Sequence, residues 1–329
     1  MAGYKVYITR MIPQEGINLL SSVADVTINP DDAPLSRDAL LNEMKNGHYD
    51  GVLGVLTDRI DGEFFDSCKG LKGYANYAVG YDNIDVPEAV RRGIPVSNTP
   101  DVLTDATAEC AWALLFATAR RVVETDRVMR SGSWTGWGPL QFIGGDVKGK
   151  TLGIVGAGRI GTEMALMSKG FKMKVLYTSS SDRRNAVLDA ELEAELVSFE
   201  ELLRESDFVS IHCPLTPGTR HLFDAKAFAL MKKTAYIINT GRGPVIKEED
   251  LVEALKNGEI AGAGLDVFEN EPAMAPNLAE LDNAVVVPHI GSATHSSRNN
   301  MALLAARNLM AMLEGEKPET CLNPELFEK

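Results

Sequence analysis

Thr151-Leu-Gly-Ile-Val-Gly156-Ala-Gly158-Arg159-Ile160-Gly161 decides how this chain is read. A short apolar run meets three glycines spaced G-x-G-x-x-G, and a helical stretch to Lys169 follows. Glycines at these spacings permit a tight turn, let the backbone approach a pyrophosphate and allow close packing of helix on strand, with the phosphate at the helix N-terminus. Gly156, Gly158, Arg159, Ile160 and Gly161 are therefore expected to form a dinucleotide-binding turn. The bland alternative, a glycine-rich connection that binds nothing, is disfavoured by the run of strand signals downstream.

Outward from this turn, MKVLYT, DFVSIHC, TAYIINT, AGAGLDV and AVVVPHI alternate with helical stretches, which predicts a parallel sheet. Upstream, KVYIT, DVTI, DGVLGVL, LKGYANYAV and IPVSN alternate with helices such as SRDALLNEMKNG and predict a second one. Between the two series Trp112, Leu115, Phe116, Ala119 and Val123 recur at helical spacing, so one long helix is expected from Asp105 to Arg130. SGSWTGWGPLQFIGGDVKGK, residues 131–150, lacks periodicity and reads as a loop packed on something. A last helix is expected from Asn299 to Leu313.

The expected fold class is α/β, with two doubly wound parallel sheets: a Rossmann-type cofactor domain, 99–291, inserted in a flavodoxin-like substrate domain formed by 1–98 and 292–329. Two crossings imply a hinge, expected at Asn98-Thr99-Pro100 and at Pro288 to Ser292. Apolar residues on more than one face of the 105–130 segment, with the tryptophan loop, point to a homodimer.

Composition narrows the class. At 329 residues, 45% hydrophobic and 24% charged, the chain is long enough for two domains. Asp and Glu number 46 against 33 Lys and Arg, and the net charge of −13 repels nucleic acid and anionic membrane surfaces. An anionic substrate then needs positive groups supplied by the site itself. Cys68, Cys110, Cys213 and Cys321 are far apart without CxxC spacing, so neither a metal site nor a disulfide framework is expected, and they read as reduced, mostly buried thiols. The start, MAGYKVYITR, has no basic stretch ahead of an apolar core, and no apolar run approaches the ~18 residues of a membrane span. The expected location is the cytoplasm.

The strand after the glycine-rich turn ends where an acidic residue normally pairs with the adenosine ribose of NAD. Ser179 stands there, followed by Ser180, Ser181, Asp182, Arg183 and Arg184. Without a carboxylate, hydroxyls and a guanidinium suit a 2′-phosphate, so NADP is favoured over NAD, with Ser179, Ser180 and Arg183 as candidate contacts. Two alternatives stay open: Asp182 takes the acidic role, or the two arginines only begin a solvated helix.

Three ionisable residues sit oddly after predicted strands: Arg242 in INTGRGPVI, Glu271 in LDVFENEP and His289 in VVVPHIGSAT. Each alone has a dull explanation, as a helix-capping Arg, a turn Glu before Pro272 and a satisfied His after Pro288. Ligands of open parallel sheets sit beyond the carboxyl ends of strands, and all three fall at that edge with the glycine-rich turn. A guanidinium matches a carboxylate bidentately, and imidazole titrates nearest neutral pH. A neighbouring anion favours the imidazolium and orients its ring.

NYAVGYDNID, GIVGAGRIG, HCPLTPGTRHLF, NTGRGPVI, GLDVFENEP and PHIGSAT, in that order, make the chain resemble the D-isomer-specific 2-hydroxyacid dehydrogenase family over essentially its whole length. Within the family the resemblance is greatest to glyoxylate and hydroxypyruvate reductases. It implies hydride transfer from NAD(P)H to a small 2-keto acid, giving the D-2-hydroxy acid. By the same resemblance Arg242 binds the substrate carboxylate, His289 is the acid/base and Glu271 its partner. Backbone N–H groups of Val79 and Gly80 bind the carboxylate, and Leu56 shapes the substrate pocket. Thr107, Cys213, Pro214, Thr240, Gly241, Asp266 and Gly291 line the cofactor. Trp137 matches a tryptophan that reaches from one subunit into the other's site, or else simply packs its loop.

Two departures from the family pattern stand out: Ser179 for the frequent acidic residue, and Ile246-Lys247 where many relatives carry an apolar-acidic pair. The enzyme alternatives are a D-lactate or a D-3-phosphoglycerate dehydrogenase. The latter needs positive groups around a phosphate, and YANYAVGYDNID has no Arg or Lys. A dinucleotide-sensing corepressor is the alternative of another class, and neither a long disordered extension nor a basic surface signal supports it.

Overall fold

Short runs of aliphatic and β-branched residues form two all-parallel sheets, each belonging to its own unit of the chain. The computed structural model describes residues 3–179 and 183–328, so Ser180, Ser181 and Asp182 lie outside the described residues. The units are Met1–Leu103 with Ala293–Lys329, and Thr104–Ser292.

In the first unit the order along the chain is β1 (Tyr4–Ile8), α1 (Gln14–Ser21), β2 (Ala24–Ile28), α2 (Arg37–Gly47), β3 (Gly51–Val55), α3 (Gly62–Ser67), β4 (Gly73–Tyr77), α4 (Val86–Arg91) and β5 (Val96–Ser97). The sheet order β2-β1-β3-β4-β5 is the flavodoxin-like one. Ser36, Asp61 and Asp85 accept backbone N–H groups at the starts of α2, α3 and α4, a local signal that fixes where each helix begins.

The second unit runs α5 (Thr104–Ala119), α6 (Val122–Arg130), β6 (Thr151–Val155), α7 (Arg159–Met167), β7 (Lys174–Thr178), α8 (Ala186–Leu192), β8 (Glu195–Leu196), α9 (Phe199–Glu205), β9 (Phe208–Ile211), α10 (Ala225–Leu230), β10 (Tyr236–Asn239), α11 (Glu248–Lys256), β11 (Gly262–Leu265) and β12 (Ala284–Val286). Its order, β12-β11-β10-β9-β6-β7-β8, is the dinucleotide-binding pattern with one strand added. The central strands β6, β9 and β10 are apolar along almost their whole length because helices cover both faces. The chain then returns to the first unit with α12 (His295–Leu313), which packs on α1, β3 and β4.

Three expectations need correcting. The segment 105–130 is two helices, because the Ala119 carbonyl accepts the Gly145 N–H at 2.8 Å and Arg121 takes a left-handed φ of 54°. α5 spends its apolar residues inside its own unit, against α7, β10 and β11. The unit boundary falls at Leu103, not Asn98. Asn98 and Thr99 are tied into the first sheet: the Thr99 N–H donates to the Ala78 carbonyl at 2.9 Å, and the Asn98 carbonyl accepts from Thr320 Oγ1 at 2.6 Å. Of the four free cysteines only Cys213 is buried; Cys68, Cys110 and Cys321 are half-buried.

Candidate active site

Strand register builds one edge. Val155, Ile211, Asn239, Leu265 and Val286, the last residues of β6, β9, β10, β11 and β12, pair in sequence across the sheet. The residues that follow them therefore leave the sheet side by side: Gly156, Cys213, Thr240 to Arg242, Asp266 to Glu271, and His289 to Gly291. Sequence alone suggested a common edge; the register makes it one.

The edge divides into a dinucleotide part and an acid/base part. Between β6 and β9 the connections diverge, and there Gly156 has a φ of 97° and a Cβ would lie 2.6 Å from the Cys213 backbone nitrogen. Any other residue would be strained and obstructed at this turn. Gly158 occupies the N-cap position of α7 without a capping side chain, and the space at its Cα is open. Exposed N–H groups at such a helix start suit an anion. The Thr240 hydroxyl is buried with no hydrogen-bond partner among the described residues, as expected of a group that a bound molecule satisfies. A Cβ at Gly291 would lie 2.9 Å from Asp266 Oδ2 and 3.4 Å from Thr107 Cγ2, so these three residues are packed together. Burial pushes the Cys213 thiol up to about 11, making it an apolar wall rather than a nucleophile. Pro214 follows it, exposed. These features fit a nicotinamide dinucleotide.

In the acid/base part, His289 Nδ1 donates to Glu271 Oε2 at 2.9 Å, leaving Nε2 for another partner. Glu271 Oε1 accepts the Phe268 N–H at 3.1 Å. Burial alone would raise the Glu271 carboxyl, but the His289 hydrogen bond and charge, the Phe268 N–H and the Arg242 charge outweigh it and hold the group below the usual value. His289 itself sits at φ 54°, a left-handed conformation uncommon outside glycine. Asp266 holds it there: its carboxylate accepts the N–H groups of Ile290 at 2.6 Å and Gly291 at 2.8 Å, and its carbonyl accepts the His289 N–H at 2.9 Å. Burial raises the Asp266 carboxyl above the ordinary value.

Arg242 leaves β10 half-buried, with Nη1 donating to the Gly241 carbonyl at 2.9 Å and its own carbonyl accepting from Asn239 Nδ2 at 3.0 Å. Gly243 must lack a side chain, because a Cβ would come within 1.8 Å of the Phe268 carbonyl oxygen. The Arg242 turn thus presses directly on the segment that carries Glu271.

Sequence reasoning missed the support behind Glu271. Glu248, the first residue of α11, is buried, and its carboxylate accepts the N–H groups of Glu269 at 2.6 Å and Ala275 at 2.8 Å. Glu269 reciprocates, accepting the Glu248 N–H at 3.1 Å, and its other oxygen meets His221 Nε2 at 2.6 Å. Each N–H bond to a charged carboxylate contributes about 1.5–3 kcal/mol, so the loop flanking Glu271 is firmly held. In sequence Glu248 is one of three acidic residues opening a helix; only packing singles it out. The departure at Lys247 has a structural place: Lys247 Nζ pairs with Asp250 Oδ1 at 2.8 Å, and Ile246 is buried beside Phe223.

Among the described residues no group of His, Cys, Asp and Glu forms a metal site, and no helix is long and apolar enough to cross a membrane. Leu56, Val79 and Gly80 belong to the first unit, just beyond β3 and β4. Trp137 is 83% exposed on its loop. Ser179 directly follows β7, and Arg183 is exposed.

Residues 112–291 match the family model "D-isomer specific 2-hydroxyacid dehydrogenase, NAD binding domain". This chain belongs to that family. It is 51% identical to a glyoxylate reductase of Thermococcus kodakarensis over 326 residues, 98% of this chain and 97% of the relative. A Thermus thermophilus protein of solved structure superposes with a TM-score of 0.88 at 41% identity, covering 97% of this chain and 99% of the other. The NADPH-dependent glyoxylate/hydroxypyruvate reductase of Sinorhizobium meliloti, solved with NADP and malonate, gives 0.84 at 30% identity, covering 97% and 96%. Family membership makes the chain an oxidoreductase that binds a nicotinamide dinucleotide.

Proposed function

We propose that this D-2-hydroxyacid dehydrogenase reduces glyoxylate and related small 2-keto acids to D-2-hydroxy acids, with NADPH preferred to NADH. One observation carries the reading: the His289–Glu271 pair stands on the same strand edge as the glycine-rich turn and Arg242. The name of its 51% identical relative supports glyoxylate. When bound, the dinucleotide supplies the hydride.

The protein's own groups do the rest. The Arg242 guanidinium pairs bidentately with the carboxylate and fixes the carbonyl carbon for attack. His289 Nε2 holds a proton and gives it to the carbonyl oxygen, while Nδ1 stays on Glu271. Val79 and Gly80 N–H groups bind the carboxylate, and Leu56 lines the substrate. Initial rates with glyoxylate, hydroxypyruvate, pyruvate and 3-phosphohydroxypyruvate test the assignment. The first two are expected to give the highest kcat/KM; a preference for pyruvate or the phosphorylated acid would overturn it.

For the cofactor, the absence of a carboxylate at Ser179 and the exposed Arg183 support NADPH, since Arg184 is already paired with Asp189 at 2.7 Å. Ser179→Asp with Arg183→Ala is expected to reverse the preference. The lost charged hydrogen bond alone is worth about 1.5–3 kcal/mol, some ten- to hundredfold in the kcat/KM ratio. Equal rates with both cofactors in the unmodified enzyme would show Ser179 to be merely permissive.

We also infer a cytoplasmic homodimer. No residue of α6 is buried, and Val122, Met129, Trp137, Leu140 and Ile143 leave apolar surface exposed, the kind of patch that marks an interface. Light scattering decides it: a fully active monomer at nanomolar concentration removes the dimer and any role of Trp137 across it.

A further inference from the structure

Behind the loop that follows β4 stand side-chain amides that no step above uses. Asn76, fully buried on β4, donates from Nδ2 to the Gly80 carbonyl at 3.0 Å. Asn98 donates from Nδ2 to the Val79 carbonyl at 2.7 Å, and the Thr99 N–H donates to the Ala78 carbonyl at 2.9 Å. Three successive carbonyls are thus anchored from within the same unit. In a planar trans peptide the C=O and the next N–H point opposite ways. Fixing the carbonyls of Ala78, Val79 and Gly80 therefore turns the N–H groups of Val79, Gly80 and Tyr81 away from the Thr99, Asn98 and Asn76 donors, respectively. Among the described residues, none of these three N–H groups donates a hydrogen bond.

The anchors are themselves rigid. The Asn98 carbonyl accepts from Asn308 Nδ2 at 3.2 Å and from Thr320 Oγ1 at 2.6 Å. Asn76 and Asn83 exchange amide hydrogen bonds at 3.4 Å in each direction, and Asn83 Nδ2 also reaches the Asp58 carbonyl at 3.0 Å. The Val55–Asp58 turn that carries Leu56 is thereby linked to the Val79–Gly80 loop. An amide is the group this arrangement needs, because a carboxylate has no donor to offer a carbonyl.

We propose that Asn76 and Asn98 are positioning residues for the substrate carboxylate, holding the Gly80 and Val79 carbonyls so that the Val79, Gly80 and Tyr81 N–H groups converge on it. The proposal rests on the reading that the Val79–Gly80 backbone binds the carboxylate, and it adds Tyr81 N–H as a third donor. Neutral dipoles can bind an anion this way where the segment offers no cation. Their worth depends on being fixed before the ligand arrives.

Oxamate, a carboxylate that the enzyme cannot reduce, separates the possibilities when titrated into the NADPH-loaded protein and followed by amide NMR and calorimetry. The Val79, Gly80 and Tyr81 amide resonances are expected to move in the unmodified enzyme. Asn98→Ala should weaken oxamate and raise the KM for glyoxylate about tenfold, the size of one ordinary hydrogen bond, with NADPH affinity unchanged. The Gly80 resonance should lose most of its shift, since its peptide is the one released. Asn98→Asp, which places an acceptor against a carbonyl, should weaken oxamate further. Asn76→Ala should act on the Tyr81 resonance; if it does not fold, Asn98→Ala decides alone. Parental oxamate affinity and shifts in the Asn98 variants would overturn the proposal while leaving the carboxylate reading intact. Oxamate binding to the unmodified enzyme without moving the three resonances would overturn both.

Discussion

Replacing His289 by alanine is expected to lower kcat for glyoxylate reduction by about 10²- to 10⁴-fold, the usual range for general acid catalysis, with NADPH affinity nearly unchanged. His289 offers Nε2 to the reacting oxygen, because Nδ1 is committed to Glu271 at 2.9 Å. Glu271→Gln should behave differently. The Glu271 carboxyl lies below its ordinary value, so it stays charged throughout the neutral range. An anion at that position favours the protonated ring; a neutral amide does not. In the variant the alkaline limb of the kcat profile should move to lower pH while activity on the acid side partly survives. Near-parental kcat in His289→Ala across the pH range would mean that the proton comes from elsewhere, and the assigned roles would have to be abandoned.

Loss of the Arg242 guanidinium is expected to be nearly as severe. Arg242→Ala removes two charge-assisted hydrogen bonds to the carboxylate, each worth about 1.5–3 kcal/mol, which predicts a fall in kcat/KM of roughly 10²- to 10⁴-fold. Arg242→Lys keeps the charge but not the planar fork, so orientation suffers and kcat/KM should also fall at saturating cofactor. Guanidinium chloride added to Arg242→Ala should restore part of the activity. A variant within twofold of the parent for both kcat and KM would show that the carboxylate is anchored elsewhere.

Much of the site was legible because parallel sheets place chemistry by a local rule. Residues just past a strand fall at the carboxyl edge, so Arg242, Glu271 and His289 could be found from strand signals without coordinates. Glu248, Glu269 and His221 could not, because nothing local marks a helix-opening glutamate as a buried clamp. Asn76 and Asn98 were equally silent: one lies within a strand and the other follows a two-residue strand, and each matters only through the carbonyl it reaches. The 105–130 segment misled for a related reason. Helical periodicity continues past Ala119, and only the Gly145 N–H on the Ala119 carbonyl, from a loop far along the chain, marks the break.

What the sequence determined by itself was most of the elements, the glycine-rich turn and the three ionisable residues past β10, β11 and β12. Those depend on apolar periodicity, chirality and turn chemistry, which act over a few residues. The tertiary structure alone decided the strand register that aligns Val155, Ile211, Asn239, Leu265 and Val286, and with it the His289–Glu271 hydrogen bond. It also decided which carboxylates and amides are buried against backbone donors and carbonyls. Burial and hydrogen-bond partnership arise between segments far apart in the chain, and no local rule carries that information.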